Sequence, residues 1–283
     1  NNNTSVGNES LDANTTGANN TAIGAAALGV NSTGSNNVAV GALSLDANTT
    51  AGGNTAVGYA ALSENTTATG NTGIGYFALN VNTTGANNAA LGANALVANT
   101  TGASNVAVGK DSLKSNTTAS NNTAVGADSL EDNTTGASNV AIGRYSLYNN
   151  TTADSNTAVG FQAAFANTTG ANNVAVGRDS LAANTTGASN VAVGANALDA
   201  NTTGTLSVAI GLEALTVSTT AGENTAVGAA AGRYIGSGQY NTAVGRSALH
   251  SSVSGSTGQM TGDRNTAIGY NALFANTTGY DNT

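Results

Sequence analysis

A chain of 283 residues with 8% charged side chains and a net charge of −8 lacks the clustered Lys and Arg that a nucleic-acid surface needs. It has no Cys and one His, which excludes a disulfide framework, a Cys/His zinc site and a thiol nucleophile. No apolar run approaches the ~20 residues of a membrane-spanning helix, so no membrane insertion is expected of this segment.

The first apolar stretch is Thr4-Ser5-Val6-Gly7, and it returns as Thr21-Ala22-Ile23-Gly24 and Val38-Ala39-Val40-Gly41. With the glycine as phase marker, the repeat runs from Gly7 through Gly24, Gly41 and Gly58 to Gly245 in steps of 17, then takes one step of 24 to Gly269. A fixed period of this length marks a stacked repeat, so length sets the number of repeats rather than of domains. We read residues 1–283 as one solenoid, with 1–204 regular and 205–283 less regular.

Each copy has the same columns. Val, Ile or Leu always precedes the glycine, a small residue precedes that, and Thr or Val comes first, with Ala89 the one exception. These β-branched positions alternate in size with period two, which predicts a short strand. Val106 and Val108 share one face, and Ala107 shares the other with Gly109, where a second backbone layer can approach. The Val/Ile column and the Leu four residues after the glycine are expected to form the core, each side chain worth ~1.5–3 kcal/mol on burial. Asn-Thr-Thr-Gly then supplies turn chemistry. Seventeen residues are too few for a stacked helix pair, which takes ~33. The fold class expected is therefore all-β, a parallel β-solenoid of about sixteen 17-residue coils. Stacked ~4.8 Å apart, these would span roughly 77 Å.

Two Asn columns run through the repeat. The one before the strand, as at Asn88, Asn105 and Asn122, predicts ladders of side-chain hydrogen bonds from coil to coil. The second, from Asn14 to Asn201, is expected to tolerate unusual backbone angles in the turn and cap its neighbours. Seventeen of the 22 charged residues fall in the two columns after the glycine and the two after the Leu, among them Lys110, Asp111, Lys114, Glu131 and Arg144. Most aromatics stand there too, including Tyr59, Tyr76 and Phe77. This is the solvated edge, and Tyr145, Tyr148, Phe161 and Phe165 are its candidate partner-binding residues.

The segments Ser207-Val208-Ala209-Ile210-Gly211-Leu212-Glu213-Ala214 and Asn139-Val140-Ala141-Ile142-Gly143-Arg144-Tyr145-Ser146 resemble the head repeat of trimeric autotransporter adhesins. The likeness covers all sixteen copies, and the coil here is longer by the Asn-Thr-Thr-Gly turn. It is also similar to repeats of phage tail fibres and bacterial surface fibres. The resemblance implies a left-handed parallel β-roll, a homotrimer, and attachment to a host surface, matrix protein or glycan. It places the chain at the cell surface, outside the cell or on a virion fibre.

Regularity weakens after Gly204. Ser218 replaces the turn Asn, and seven extra residues lie between His250 and Arg264, with Met260 among the neighbours. Inserted loops on solenoids often carry binding, so His250, Met260 and Arg264 join the candidate residues. The first and last residues lie in mid-repeat, which leads us to expect either a longer parent chain or head-to-tail stacking into a filament.

No catalytic or metal-binding residue is predicted, and no cofactor. One His cannot build repeated acid–base constellations, and no phosphate loop or calcium nonapeptide is present. Asn14, Asn48, Asn99, Asn133, Asn167 and Asn201 each begin an Asn-x-Thr acceptor for glycosylation. The function expected is an extracellular structural or adhesive fibre segment, not an enzyme. The alternative is an ice-binding solenoid that uses Thr ladders such as Thr15, Thr49 and Thr66.

Overall fold

The computed structural model describes residues 1–251 and 259–283. The protein is all-β, a parallel β-solenoid with one strand per repeat. It divides into two compact units, Asn1–Asn139 and Val140–Thr283. The first holds β1 (Thr4–Val6), β2 (Thr21–Ile23), β3 (Val38–Val40), β4 (Thr55–Val57), β5 (Thr72–Ile74), β6 (Ala89–Leu91), β7 (Val106–Val108) and β8 (Thr123–Val125). The second holds β9 (Val140–Ile142), β10 (Thr157–Val159), β11 (Val174–Val176), β12 (Val191–Val193), β13 (Val208–Ile210), β14 (Thr225–Val227), β15 (Thr242–Val244) and β16 (Thr266–Ile268). Within each unit every strand pairs in parallel with the next in chain order. Like meets like: Val106 faces Thr123, Ala107 faces Ala124, and Val108 faces Val125. Even the 24-residue step preserves this register, with Thr242 on Thr266.

The middle residue of each strand points inward. Ala22, Ala107, Ala158 and Ala243 are fully buried, and so are Leu28, Leu62, Leu113 and Leu198 from the opposite wall. The expected Leu column is thus core. The Val/Ile column before the glycine is not: Ile23, Ile74, Leu91, Ile142 and Ile210 remain 39–41% exposed. The reason is the narrowness of the coil. At Gly73, which replaces the usual Ala, an added Cβ would lie 3.3 Å from Leu62 Cγ and 3.1 Å from the Ala78 carbonyl oxygen. Alanine fills that space, and the extra methyls of Val would collide with Leu. Period-two alternation separates the faces correctly but does not say which one is inside.

The wall opposite the strands is built from left-handed backbone. Leu28, Leu45, Leu62 and Leu113 have φ of 52°, 51°, 53° and 49°, as do residues two before them, such as Ala26 at 55°. This costs roughly 1–2 kcal/mol per non-Gly residue. In return, successive N–H groups aim in opposite directions along the stack. The Ala26 N–H donates to the Asn8 carbonyl of the preceding coil at 2.9 Å, and the Leu28 N–H donates to Ser44 of the following coil at 3.0 Å. Backbone groups outside the strands are thus paired from coil to coil as well.

Both Asn columns are buried ladders. In the strand column, Asn88 Oδ1 accepts from the Asn105 N–H at 2.9 Å, and Asn88 Nδ2 donates to the Gly102 carbonyl at 2.8 Å. In the turn column, Asn99 Nδ2 donates to Asn82 Oδ1 of the coil before at 2.8 Å and to its own turn carbonyl, Gly102, at 2.9 Å. The expectation of left-handed turn Asn residues is corrected here. The left-handed residue lies just before the strand Asn instead, as at Asn19, Asn36 and Asn121. The turn Asn is a buried cross-link.

The turn ladder breaks at Ser218. The Ser218 hydroxyl donates to the Ala221 carbonyl at 3.4 Å and does not reach back, so Asn201 Oδ1 is buried without a partner. Ser218→Asn restores the missing donor and should stabilise the second unit by about 1–2 kcal/mol. A thermal melt of the variant that coincides with the parent's would show that the lone oxygen costs nothing.

Candidate functional site

The variable edge comprises the two residues after the strand glycine and the two after the Leu. The second of these positions has left-handed backbone, as at Asp111 (φ 55°), whose carboxylate is buried among its partners, and Tyr145 (φ 60°), which is half-buried. On this edge, Lys110 and Lys114 both reach Asp111, at 2.8 and 3.6 Å, and Lys114 reaches Glu131 of the next coil at 3.1 Å. Burial pushes the Asp111 carboxyl up, but hydrogen bonds from Lys110 and Asn94 outweigh it, so its pKa lies below the ordinary value. Such rim pairs are worth ~0–1 kcal/mol each. They set the edge's pattern more than its stability.

The aromatic candidates of the second unit come together. The Tyr145 ring is edge-on to Tyr148 at 5.6 Å, to Phe161 at 6.2 Å and to Phe165 at 6.3 Å, while Tyr148 and Phe165 stack at 5.3 Å. The Arg144 guanidinium lies 4.4 Å over the Tyr145 ring. Positions 17 residues apart bring Tyr148 and Phe165 onto neighbouring coils, so this cluster was legible from the period. A second aromatic cluster, Tyr59, Tyr76 and Phe77, occupies the same edge of the first unit, with Tyr59 and Tyr76 stacked at 5.7 Å. The same column arithmetic identifies it.

The remaining candidates do not join these clusters. His250 is sandwiched between Tyr234, edge-on at 5.0 Å, and Phe274, stacked at 5.1 Å. Burial there pushes its pKa down. Met260 is corrected from a surface role. It is fully buried and forms a parallel bridge with Ile235, taking a core place in its coil. Arg264 is exposed and pairs with Asp281 at 2.7 Å. Residues 252–258 of the insertion lie outside the described residues.

The glycosylation sites are corrected too. Asn48, Asn99, Asn133, Asn167 and Asn201 are fully buried, and their Nδ2 atoms donate within the ladder. Asn14, near the start, is half-buried and donates to Gly17. A sugar on Nδ2 would remove these bonds and has no room beside the neighbouring coil. Among the described residues, no group of three or more His, Cys, Asp or Glu is placed to hold a metal ion, and no helix is long and apolar enough to cross a membrane.

Among the described residues, Asp199 is the edge carboxyl with a large shift. Burial raises its pKa to about 6, with smaller contributions from the charges of Asp179 and Glu213. The folded state therefore binds a proton that the unfolded chain releases near pH 4. Stability is present below that value and is lost as pH rises through about 6. Asp199→Asn should raise the melting temperature at pH 7.5 by an amount worth on the order of 1 kcal/mol, discounted for the group's partial exposure, and give little at pH 4. An equal gain at both pH values would mean that the carboxyl's charge is not the cause.

Compared with family models, curated proteins and solved structures, the chain matches none. Its function is therefore argued from two surfaces, the variable edge and the outward face of the strands. On that face the first and third residue of every strand form two uncharged ranks, of Thr or Val and of Val, Ile or Leu, with Ala89 the single smaller member.

Proposed function

We propose that the chain is a segment of an extracellular structural or adhesive fibre that self-associates through its strand face and presents the variable edge to a partner surface. One observation carries this reading: the outward strand face is uncharged and repeats half-exposed aliphatic residues coil after coil. Contiguous apolar surface of this kind marks an interaction site. Its periodicity suits another copy with the same 17-residue register, and the likeness of the strand segments to a trimeric adhesin repeat favours three chains. The small-residue face, where the sequence led us to expect a second backbone layer, is interior and contributes nothing to association.

Val57 and Leu62 separate assembly from folding. Val57 faces outward and is half-buried, while Leu62 of the same coil is fully buried. Val57→Asp should abolish association and move the melting free energy by only about 1 kcal/mol, whereas Leu62→Ala should cost ~2–5 kcal/mol. Sedimentation of the parent at micromolar concentration should give a trimeric mass. A monomeric parent would sink the assembly.

The ice-binding alternative relied on Thr15, Thr49 and Thr66. Their hydroxyls donate to carbonyl oxygens of the next coil, at 2.9, 3.5 and 3.3 Å, and so are engaged in the turn. Measurable thermal hysteresis from the purified chain would favour that alternative over the fibre.

A further inference from the structure

Along the variable edge, the first-unit aromatic pair and the two coils after it form a distinct surface. Tyr59 and Tyr76 are 46% and 55% exposed, their rings parallel to within 18°. Phe77 stands across both, at 83° and 74°, and holds them in place. The next two coils place Ala93 and then Lys110 in the same column. Backbone bonds Asn94 N–H to Tyr76 O at 2.9 Å and Asp111 N–H to Ala93 O at 3.0 Å fix this order. The edge therefore reads ring, ring, methyl, ammonium.

The methyl makes a notch. Coils ~4.8 Å apart put Tyr76 and Lys110 roughly 10 Å apart along the column, with only Ala93 between them. A flat ring packed ~3.5–4 Å from the outer face of Tyr76 fits that height. Beside the notch, the Asn94 amide donates to Asp111 at 2.9 Å, and Lys110 pairs with Asp111 at 2.8 Å. The site thus joins an exposed apolar platform, pre-set by Phe77, to the Asn94 amide one coil away and the Lys110 ammonium two coils away, both anchored by the buried Asp111 carboxylate. That combination suits a ligand with one apolar ring face and a hydroxylated rim.

We propose that the Tyr59–Tyr76 platform and the Ala93 notch bind a pyranose unit of a neutral glycan, stacked on Tyr76 with its hydroxyls toward Asn94 and Lys110, which the buried Asp111 carboxylate holds in place. This rests on the reading of the variable edge as the adhesive surface and names its ligand class. A proline-rich peptide could also lie on tyrosine faces, but it has no hydroxyls for the polar groups across the notch.

The test is calorimetric titration of the full chain with cellohexaose, chitohexaose and mannohexaose, and with a decaproline peptide. At least one oligosaccharide should bind saturably. Tyr76→Ala should weaken it at least tenfold and Lys110→Ala about threefold, while Tyr240→Ala, an exposed tyrosine outside the platform, leaves it unchanged. Tyr76→Ala should fold, because Ala42, Ala93 and Ala127 already occupy that column; an unchanged melting curve verifies this. No saturable binding by any of the three sugars, equal binding by Tyr76→Ala, or binding of decaproline alone would overturn the proposal. Sedimentation of the same samples keeps the readings apart: a trimer that binds no sugar defeats only the glycan site, and a monomer that binds sugar defeats only the assembly.

Discussion

Gly109→Ala is expected to destabilise the coils around it by about 3–5 kcal/mol, the largest effect of any alanine substitution on the regular repeat. Two causes add. Gly109 sits at φ +135°, a region closed to residues with a side chain. An added Cβ would also lie 2.6 Å from the carbonyl carbon of Gly126 and 2.9 Å from the Ala127 nitrogen in the next coil. Both obstacles are backbone, so no side chain can swing away. The same change at Gly102, seven residues earlier, should be nearly neutral. An added Cβ there also meets the Ala119 carbonyl oxygen, but Gly102 lacks the positive φ of Gly109 and alanine already stands in that turn column at Ala51, Ala68, Ala119, Ala153 and Ala221, so the coil accommodates it. Because each coil contacts only its neighbours, the damage should be local. Amide hydrogen exchange should show lost protection in the coils flanking Gly109 and little change near the start of the chain. Matching melts for the Gly109 and Gly102 variants would refute the close approach at the strand-ending glycine.

Asn105→Ala should cost nearly as much, about 3–5 kcal/mol. The Asn105 amide is fully buried and donates to the Ala119 carbonyl at 2.8 Å and to Asn88 Oδ1 at 3.1 Å. Its Oδ1 accepts from the Asn122 N–H at 3.0 Å. Truncation leaves the Asn122 N–H buried without a partner, at ~1–3 kcal/mol, takes from the Ala119 oxygen the shorter of its two donors, with Asn116 Nδ2 remaining at 3.1 Å, and adds a small cavity. Asn94→Ala, on the variable edge, should change stability by less than about 0.5 kcal/mol. The contrast is read in parallel thermal melts. Equal losses would mean that the buried ladder contributes no more than a surface amide.

The column pattern carried much of this. Spacing at 17 predicted parallel coils, and the alternation at Val106-Ala107-Val108 predicted a short strand where β7 is found. The ladder of strand Asn residues came from the same arithmetic. The turn Asn was misjudged because Asn is at once the side-chain-bearing residue that most readily turns left-handed and a strong ladder former, and sequence alone does not separate the two. The left-handed Leu residues were not legible, because nothing in the propensity of Leu favours φ near +50°. Only pairing with coils above and below sustains it. Of the candidate residues, Tyr145, Tyr148, Phe161 and Phe165 could be grouped by column. Met260 could not be placed, because it lies beyond a break in the period, and the place it fills is decided by its bridge to Ile235.

By itself the sequence determined the repeat length, the strand positions, the parallel register and the chemistry of each column, since all of these derive from a strict period. Which face of the strand is interior was decided only by the tertiary structure. A 17-residue coil encloses so little width that the inward strand position meets the Leu side chain of a neighbouring coil, and Ala is what fits. The larger Val and Ile are therefore turned outward, where they form the surface from which self-association is proposed.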